Sequence, residues 1–192
     1  MAKKQVTLIL VCIVMLFFTG SKVTAEETAY YFIDPPRKPL QIMDELYKSV
    51  KNLELEHARK TVRMLDDLYK TYIVLITEEY VDDPSVLPAA TLSKRVFKSM
   101  NKKGWHKARL LDATGTPFNP ENNPRDAFER DAINAMISGR TYFEKIEKIE
   151  GKDHLRAVTS VHAVMKGCIS CHPSSKIGDL LGGIAYNIAL EE

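Results

Sequence analysis

The sequence predicts an α+β fold in which a small antiparallel sheet carries helices on one side. The first observation behind it is a long N-terminal stretch in which apolar residues recur at three- and four-residue steps. The second is a set of short segments rich in β-branched and aromatic residues in the C-terminal half, separated by glycine-containing turns. In chain order the segments are helix, helix, strand, helix, strand, strand and strand.

The first predicted helix runs from about Leu40 to near Tyr80, before Asp82-Asp83-Pro84. We expect its apolar stripe to face the core, and a stripe of this length is also suited to pairing two copies of the chain as a homodimer. The stripe consists of Ile42, Leu46, Val50, Leu53, His57, Thr61, Leu65, Leu68, Tyr72 and Leu75. Charged residues on the other faces are expected to be solvated.

The remaining predicted elements are shorter and are bounded by glycine or proline. A second helix ends at Gly104, and a third is followed by Gly139. Two strands form a hairpin near Gly151. The predicted ranges are 88–102 and 126–138 for these helices, and 105–112, 141–150, 155–165 and 184–190 for the strands.

The N-terminus has the pattern of a secretory signal peptide. Lys3 and Lys4 precede 13 almost uninterrupted apolar residues, and Val23-Thr24-Ala25 is a small-residue cleavage site. We therefore predict a signal peptide at 1–25, an extended lead-in at 26–39 and one domain at 40–192, in a periplasmic protein. The alternative is a retained N-terminal membrane anchor facing the periplasm, although a span needs about 20 residues.

The charge balance gives no reason to expect nucleic acid or an anionic membrane surface as a partner. Without residues 1–25 the chain keeps 24 basic and 25 acidic residues. We expect no membrane span after the signal peptide is cleaved.

The most specific motif is Cys168-Ile169-Ser170-Cys171-His172, which has the C-x-x-C-H spacing of a c-type haem attachment site. Two thiols at this spacing can add to the two vinyl groups of one haem, and the adjacent histidine then becomes an axial iron ligand. A dithiol redox site and half of a zinc site are the alternatives. A zinc site needs a second ligand pair, and the only other cysteine is Cys12. The motif therefore predicts one covalent haem c on Cys168 and Cys171, with His172 as the proximal ligand.

Three groups of residues in this order resemble the single-haem, PAS-like cytochrome c domains of the Tll-type haem family. They are Gly104-Trp105, the run Asn119-Pro120-x-Asn122-x-Pro124-x-Asp126-x-Phe128-Glu129, and the late C-x-x-C-H followed by Pro173. The resemblance covers about residues 40–190. It implies a PAS-like antiparallel sheet that cradles one haem c, with helices packed alongside. Members of the family are stand-alone periplasmic cytochromes or sensor modules.

The sixth iron ligand stays open at this level. Some members of the resembled family use a cysteine from the N-terminal helix, which this chain lacks once Cys12 is removed. His106, on a predicted strand, and His57, on the long helix, are the main candidates. His162, the methionines and a vacant iron are further alternatives, and Arg109, Arg125 and Arg156 are candidates for pairing with haem propionates.

These features favour a periplasmic single-haem cytochrome that transfers one electron at a time and docks on redox partner proteins. It would not be an enzyme. The alternative is a haem-based sensor of redox state or of a small gaseous ligand that acts through a partner. A peroxidase would need an open iron and a distal acid–base residue, which nothing in the spacing requires.

Overall fold

The computed structural model describes residues 38–80 and 88–190, so the predicted signal peptide lies outside the described residues. The chain divides into two compact units, Met1–Ile42 and Met43–Glu192. The described part of the first unit holds only the start of the long helix. The helices are α1 (Pro39–Tyr80), α2 (Ala89–Lys103), α3 (Ala127–Ile137) and α4 (Lys166–Cys171); the strands are β1 (Lys107–Asp112), β2 (Tyr142–Ile149), β3 (Lys152–His162) and β4 (Leu180–Ala189). A 3₁₀ turn, Pro120–Asn122, precedes α3.

The four strands form one antiparallel sheet in the order β1-β4-β3-β2. The predicted α+β class is therefore confirmed. Glu150 and Gly151 join β2 to β3, and both have positive φ, as a tight two-residue hairpin turn requires. Because the turn is this short, β3 begins at Lys152, three residues before the predicted start.

The first sheet face packs against α1 and α2. Buried side chains of α1 and Phe97 of α2 form one core cluster with alternate residues of β1, β3 and β4. On α1 these side chains are Ala58, Val62, Leu65 and Tyr69. The spacing of four, three and four residues keeps them on one side of the helix.

The predicted core stripe of α1 is largely wrong, because only Leu65 of that stripe belongs to the buried core of the helix. Leu53, Leu68 and Leu75 have exposed fractions of 72%, 60% and 51%, and His57 is exposed. The helix carries apolar side chains on two faces, and the face that packs holds the smaller Ala58 and Val62. Small side chains let α1 approach the sheet closely.

The second sheet face packs against α3, so helices cover both faces and not one as predicted. Phe128, Ala132, Ile133 and Met136 of α3 contact Leu111, Val158 and Ala185 of the sheet. Asp126 caps α3, since its carboxylate accepts a hydrogen bond from the backbone N–H of Glu129 at 2.9 Å. The reason is that β1, β3 and β4 carry buried apolar residues on both faces, so each face needs a helix to cover it.

Polar contacts position the helices on the sheet. Arg59 of α1 donates to the Glu144 carboxylate of β2, with Nε–Oε1 at 3.0 Å. The side chain of Asn101 covers the free edge of β1 because its Oδ1 accepts from the backbone N–H of Ala108 at 2.9 Å. Gly104, with φ of 81°, ends α2 in the left-handed conformation. Within the described residues, none of the helices has the length and hydropathy that a membrane crossing requires.

Candidate functional site

The C-x-x-C-H motif lies in an insertion between β3 and β4. The base of the insertion is closed by two backbone hydrogen bonds, from Ala163 N–H to the Asp179 carbonyl at 2.9 Å and from Gly178 N–H to the Ala163 carbonyl at 2.7 Å. The strand before the motif was predicted to end at residue 165. Instead β3 ends at His162, and the motif forms the short helix α4.

Helix α4 places the two thiols on one side of a single turn. Cys168 and Cys171 are three residues apart, which brings their side chains to the same face of a helix. Both cysteines are free and half-buried. His172 ends the helix, and its backbone N–H donates to the carbonyls of Cys168 at 2.9 Å and Ile169 at 3.1 Å. The three predicted motif residues thus lie within one compact turn.

The fold around the thiols does not match a thioredoxin-like dithiol site. Burial, with a smaller effect of Cys168, raises the pKa of the Cys171 thiol. Thioredoxin-like motifs follow a strand in a βαβ unit. The sheet here is entirely antiparallel over the described residues. The same residues contain no cluster of three or more histidine, cysteine, aspartate and glutamate side chains that could hold a metal ion.

Helix α1 passes directly beside α4 at Gly167, a residue that the sequence analysis did not single out. A Cβ atom on Gly167 would stand 2.6 Å from Cγ2 of Thr77, closer than real contacts allow. Glycine is therefore required for the close approach of the two helices. The only sequence indication was a glycine directly before Cys168.

His106 is a buried core residue far from the motif. Its exposed fraction is 5%, and its Nε2 lies 2.7 Å from the Tyr69 hydroxyl. Burial lowers the His106 pKa. Lys107, which follows His106, pairs with Asn187 near one end of β4. The motif insertion meets β4 at its other end, at Leu180, which is seven residues from Asn187. Seven strand residues span about 24 Å.

His57 is also far from α4. It precedes Thr77 on α1 by 20 residues, which corresponds to about 30 Å along a helix. The described donors near the motif are different ones: His162 ends β3, and the Met165 Cε lies 3.8 Å from the Cβ position of Gly167. The structure brings neither of the two main predicted sixth ligands to the motif.

Two of the three predicted propionate partners, Arg109 and Arg156, have other roles in the fold, and Arg125 donates its backbone N–H to the Glu129 carboxylate at 2.7 Å. Arg109 pairs with Glu129 and donates to the carbonyls of Glu121 and Asn123. Arg156 pairs with both Asp126 and Glu147. These contacts hold α3 and the turn before it against the sheet, on the second face.

The family model described as "Tll0287-like: Tll0287" matches residues 38–185, most of the chain. The chain belongs to the Tll0287-like family. This confirms the resemblance that the ordered motifs predicted.

The fold agrees with that assignment. A crystal structure of the cyanobacterial heme-protein Tll0287 superposes with a TM-score of 0.53 at 16% sequence identity, covering 71% of this chain and 97% of the other. At this identity the likeness shows a common fold. None of the curated proteins matches this Tll0287-like chain.

Proposed function

We propose that this Tll0287-like protein is a periplasmic c-type cytochrome with one haem, which carries electrons singly between partner proteins and turns over no substrate. The observation that carries the proposal is the geometry of α4. Its single turn presents Cys168 and Cys171 on one side, with His172 directly after them. The family's haem-binding member and the C-x-x-C-H spacing support the same cofactor.

Each motif residue has a distinct role in this proposal. The thiols of Cys168 and Cys171 would hold the haem through thioether bonds to its two vinyl groups, and the His172 imidazole would bind the iron. The bound haem supplies one-electron exchange between Fe(II) and Fe(III). Val164 and Ile177 are exposed in the insertion around α4, so a porphyrin there would cover apolar surface. A tetrapyrrole therefore fits the residues present.

The periplasmic location and the redox partner proteins are part of the proposal. Thioether attachment of haem takes place outside the bacterial cytoplasm, in the compartment to which the predicted signal peptide leads. One haem edge must stay accessible for electrons to pass to a partner. The position of α4, in an insertion at one end of the sheet, is suited to this.

One observation favours the second candidate function, a haem-based sensor of redox state or of a small gaseous ligand. His106 and His57, the main predicted sixth ligands, both lie far from α4. An iron with a weak or absent sixth ligand is open to a gas molecule. The contact of α1 with α4 at Thr77 would couple such an event to a helix of 42 residues.

The decisive experiment is expression of the full chain with a cytochrome c maturation system, followed by a pyridine haemochrome spectrum and intact mass. We expect one covalently bound haem in the wild-type protein. Cys168→Ala and Cys171→Ala should each lose one thioether and shift the haemochrome band. Ser170→Ala, within the same motif, is the matched control and should load haem normally. A wild-type protein without covalent haem would contradict the proposal.

A further inference from the structure

A groove at the free edge of β1, here named the basic groove, opens beside the end of the second sheet face that α3 leaves uncovered. It lies between α2, β1 and residues 121–126, and β3 and β4 contribute to its lining. Its volume of about 860 Å³ is in the range of small-molecule sites. Lys107, Asn187 and Arg156 in its lining belong to the end of the sheet opposite α4. The groove is therefore separate from the haem motif.

Cationic side chains outnumber acidic ones in the lining. Seven are basic, namely Lys94, Lys98, Lys102, Lys107, Arg109, Arg125 and Arg156, and three are acidic, namely Glu121, Asp126 and Glu129. Arg109 pairs with Glu129, and Arg156 pairs with Asp126. The four lysines and Arg125 are then left with a single carboxylate, that of Glu121. The groove has a positive potential that attracts anions.

Lys94 is the clearest indication of a missing anion. Its Nζ is buried and has no hydrogen-bond partner. Desolvation lowers the pKa of Lys94, and the charges of Arg109 and Arg125 lower it further, against an opposing effect of Glu121. A buried ammonium without a partner is costly, and an anion beside it would supply the missing acceptor.

The surroundings of Lys94 are held in place by contacts that do not involve a ligand. The Arg109 guanidinium donates to the carbonyls of Glu121 and Asn123, which fixes the turn opposite α2. Phe97 follows Lys94 by three residues on α2, so the two side chains are neighbours on that helix. Leu110 and Ile149, both half-buried, supply apolar surface to the lining, whereas Phe97 and Phe128 lie beneath it with exposed fractions of 3% and 2%. The groove combines a fixed cationic wall with an apolar one.

We propose that the basic groove binds a small organic anion, a carboxylate with an apolar body, whose carboxylate pairs with the Lys94 ammonium. Leu110 and Ile149 provide contact for the apolar body, and Lys98 and Lys102, on the same helix as Lys94, add attraction at the rim. The combination of a shielded ammonium with apolar surface favours such a molecule over a bare inorganic anion, which would leave the apolar wall uncovered.

The test is isothermal titration calorimetry on the haem-loaded protein with phenylacetate, neutral phenylacetamide and inorganic phosphate. We expect saturable binding of phenylacetate, with phosphate weaker by about tenfold and phenylacetamide weaker still. Lys94→Met should weaken phenylacetate binding by about tenfold or more. Lys60→Met, which removes an exposed lysine of α1 outside the groove, is the control and should bind as the wild type does.

A second variant protects the test against misfolding of Lys94→Met. Lys98→Met combined with Lys102→Met changes only exposed side chains and should weaken phenylacetate binding about threefold or more. Unchanged far-ultraviolet circular dichroism and haem spectra would show that each variant is folded. The proposal is overturned if the wild type shows no saturable phenylacetate binding, if folded Lys94→Met binds it equally well, or if phosphate binds as tightly.

Discussion

The pairing of His106 with Tyr69 shows how a titratable residue is accommodated in the core. The Tyr69 hydroxyl of α1 lies 2.7 Å from Nε2 of His106. The Tyr69 ring also stacks parallel to the Tyr186 ring, with a distance of 6.4 Å between the ring centroids. Burial raises the pKa of Tyr69 and lowers the pKa of His106, so both groups are held in their neutral forms. A neutral imidazole can exchange one hydrogen bond with the hydroxyl without burying a charge.

This pair predicts a pH dependence of stability. The folded-state pKa of His106 is below the unfolded value of 6.5, so the unfolded chain binds the proton more readily. The contribution of His106 is therefore complete above about pH 6.5 and falls progressively as the pH drops below it. Urea unfolding of haem-loaded protein between pH 7.5 and 5 would measure this loss.

His106→Gln should flatten the curve over that range, whereas His57→Gln, at an exposed position, should leave it as in the wild type. Carboxylates held below their usual pKa, such as Glu144 beside Arg59, respond only at lower pH. A wild-type curve that is level from pH 7.5 to 5 would contradict the assignment of His106 as a buried neutral residue.

At the scale of elements, α1 carries two apolar faces of which the sheet covers one. The outer face includes Leu46, Val50, Leu53, Met64, Leu68 and Leu75, all exposed. Their spacing of mostly three, four or seven residues gives a seam that a second copy of the same helix can match. The homodimer through α1 that the sequence suggested remains a proposal, and this outer face consists of residues of the predicted stripe together with Met64.

The dimer proposal predicts the effect of a charge on that face. Leu53→Asp and Leu68→Asp should each shift the mass measured by light scattering from two copies toward one, because a buried unpaired carboxylate opposes association. Ile137→Asp, at a comparably exposed position of α3, is the control and should not change the mass. A monomeric wild-type protein at all concentrations tested would end the proposal.

At the scale of the whole molecule, the long antiparallel strands separate groups that the sequence analysis had brought together. β4 runs from the C-x-x-C-H insertion at Leu180 to the neighbourhood of His106 at Asn187. The sheet therefore holds α4, the proposed haem-attachment helix, at one end and His106, with the basic groove, at the other. A histidine ligand from this far end would require the fold to rearrange.

The arrangement predicts which substitutions alter the iron. His106→Gln and His57→Gln should leave the visible spectrum of the reduced haem protein, with and without CO, the same as the wild type. His162→Ala and Met165→Ala are the informative variants, because these two donors lie near α4. Loss of sharp low-spin bands in one of them would identify a sixth ligand and favour the electron carrier.

If the wild type itself binds CO promptly with a high-spin reduced spectrum, the iron is open and the sensor function takes precedence. A spectrum altered by His106→Gln with stability unchanged would instead contradict the placement of His106 described above.

The elements that were predicted correctly from the sequence are those that depend on near neighbours along the chain. The haem-binding role of the two thiols and His172 remains a prediction, but these residues lie within five positions, so their spacing alone brings them together. Helix α2 ends at Gly104 because of a local backbone preference, and the hairpin at Gly151 follows the same logic. The long reach of α1 followed from an uninterrupted periodic pattern. Each of these is determined over a few turns or less.

The remaining properties were decided by tertiary structure. Periodicity showed that α1 has apolar faces, but only packing against β3 and β4 selected the face with Ala58 and Val62. The sequence pattern predicted that His106 lies at the start of a strand. Its distance from α4 could not be predicted, because that distance depends on the register of β1 with β4. These outcomes depend on contacts between residues that are far apart in sequence. The free energies of such contacts cannot be read from a local sequence pattern.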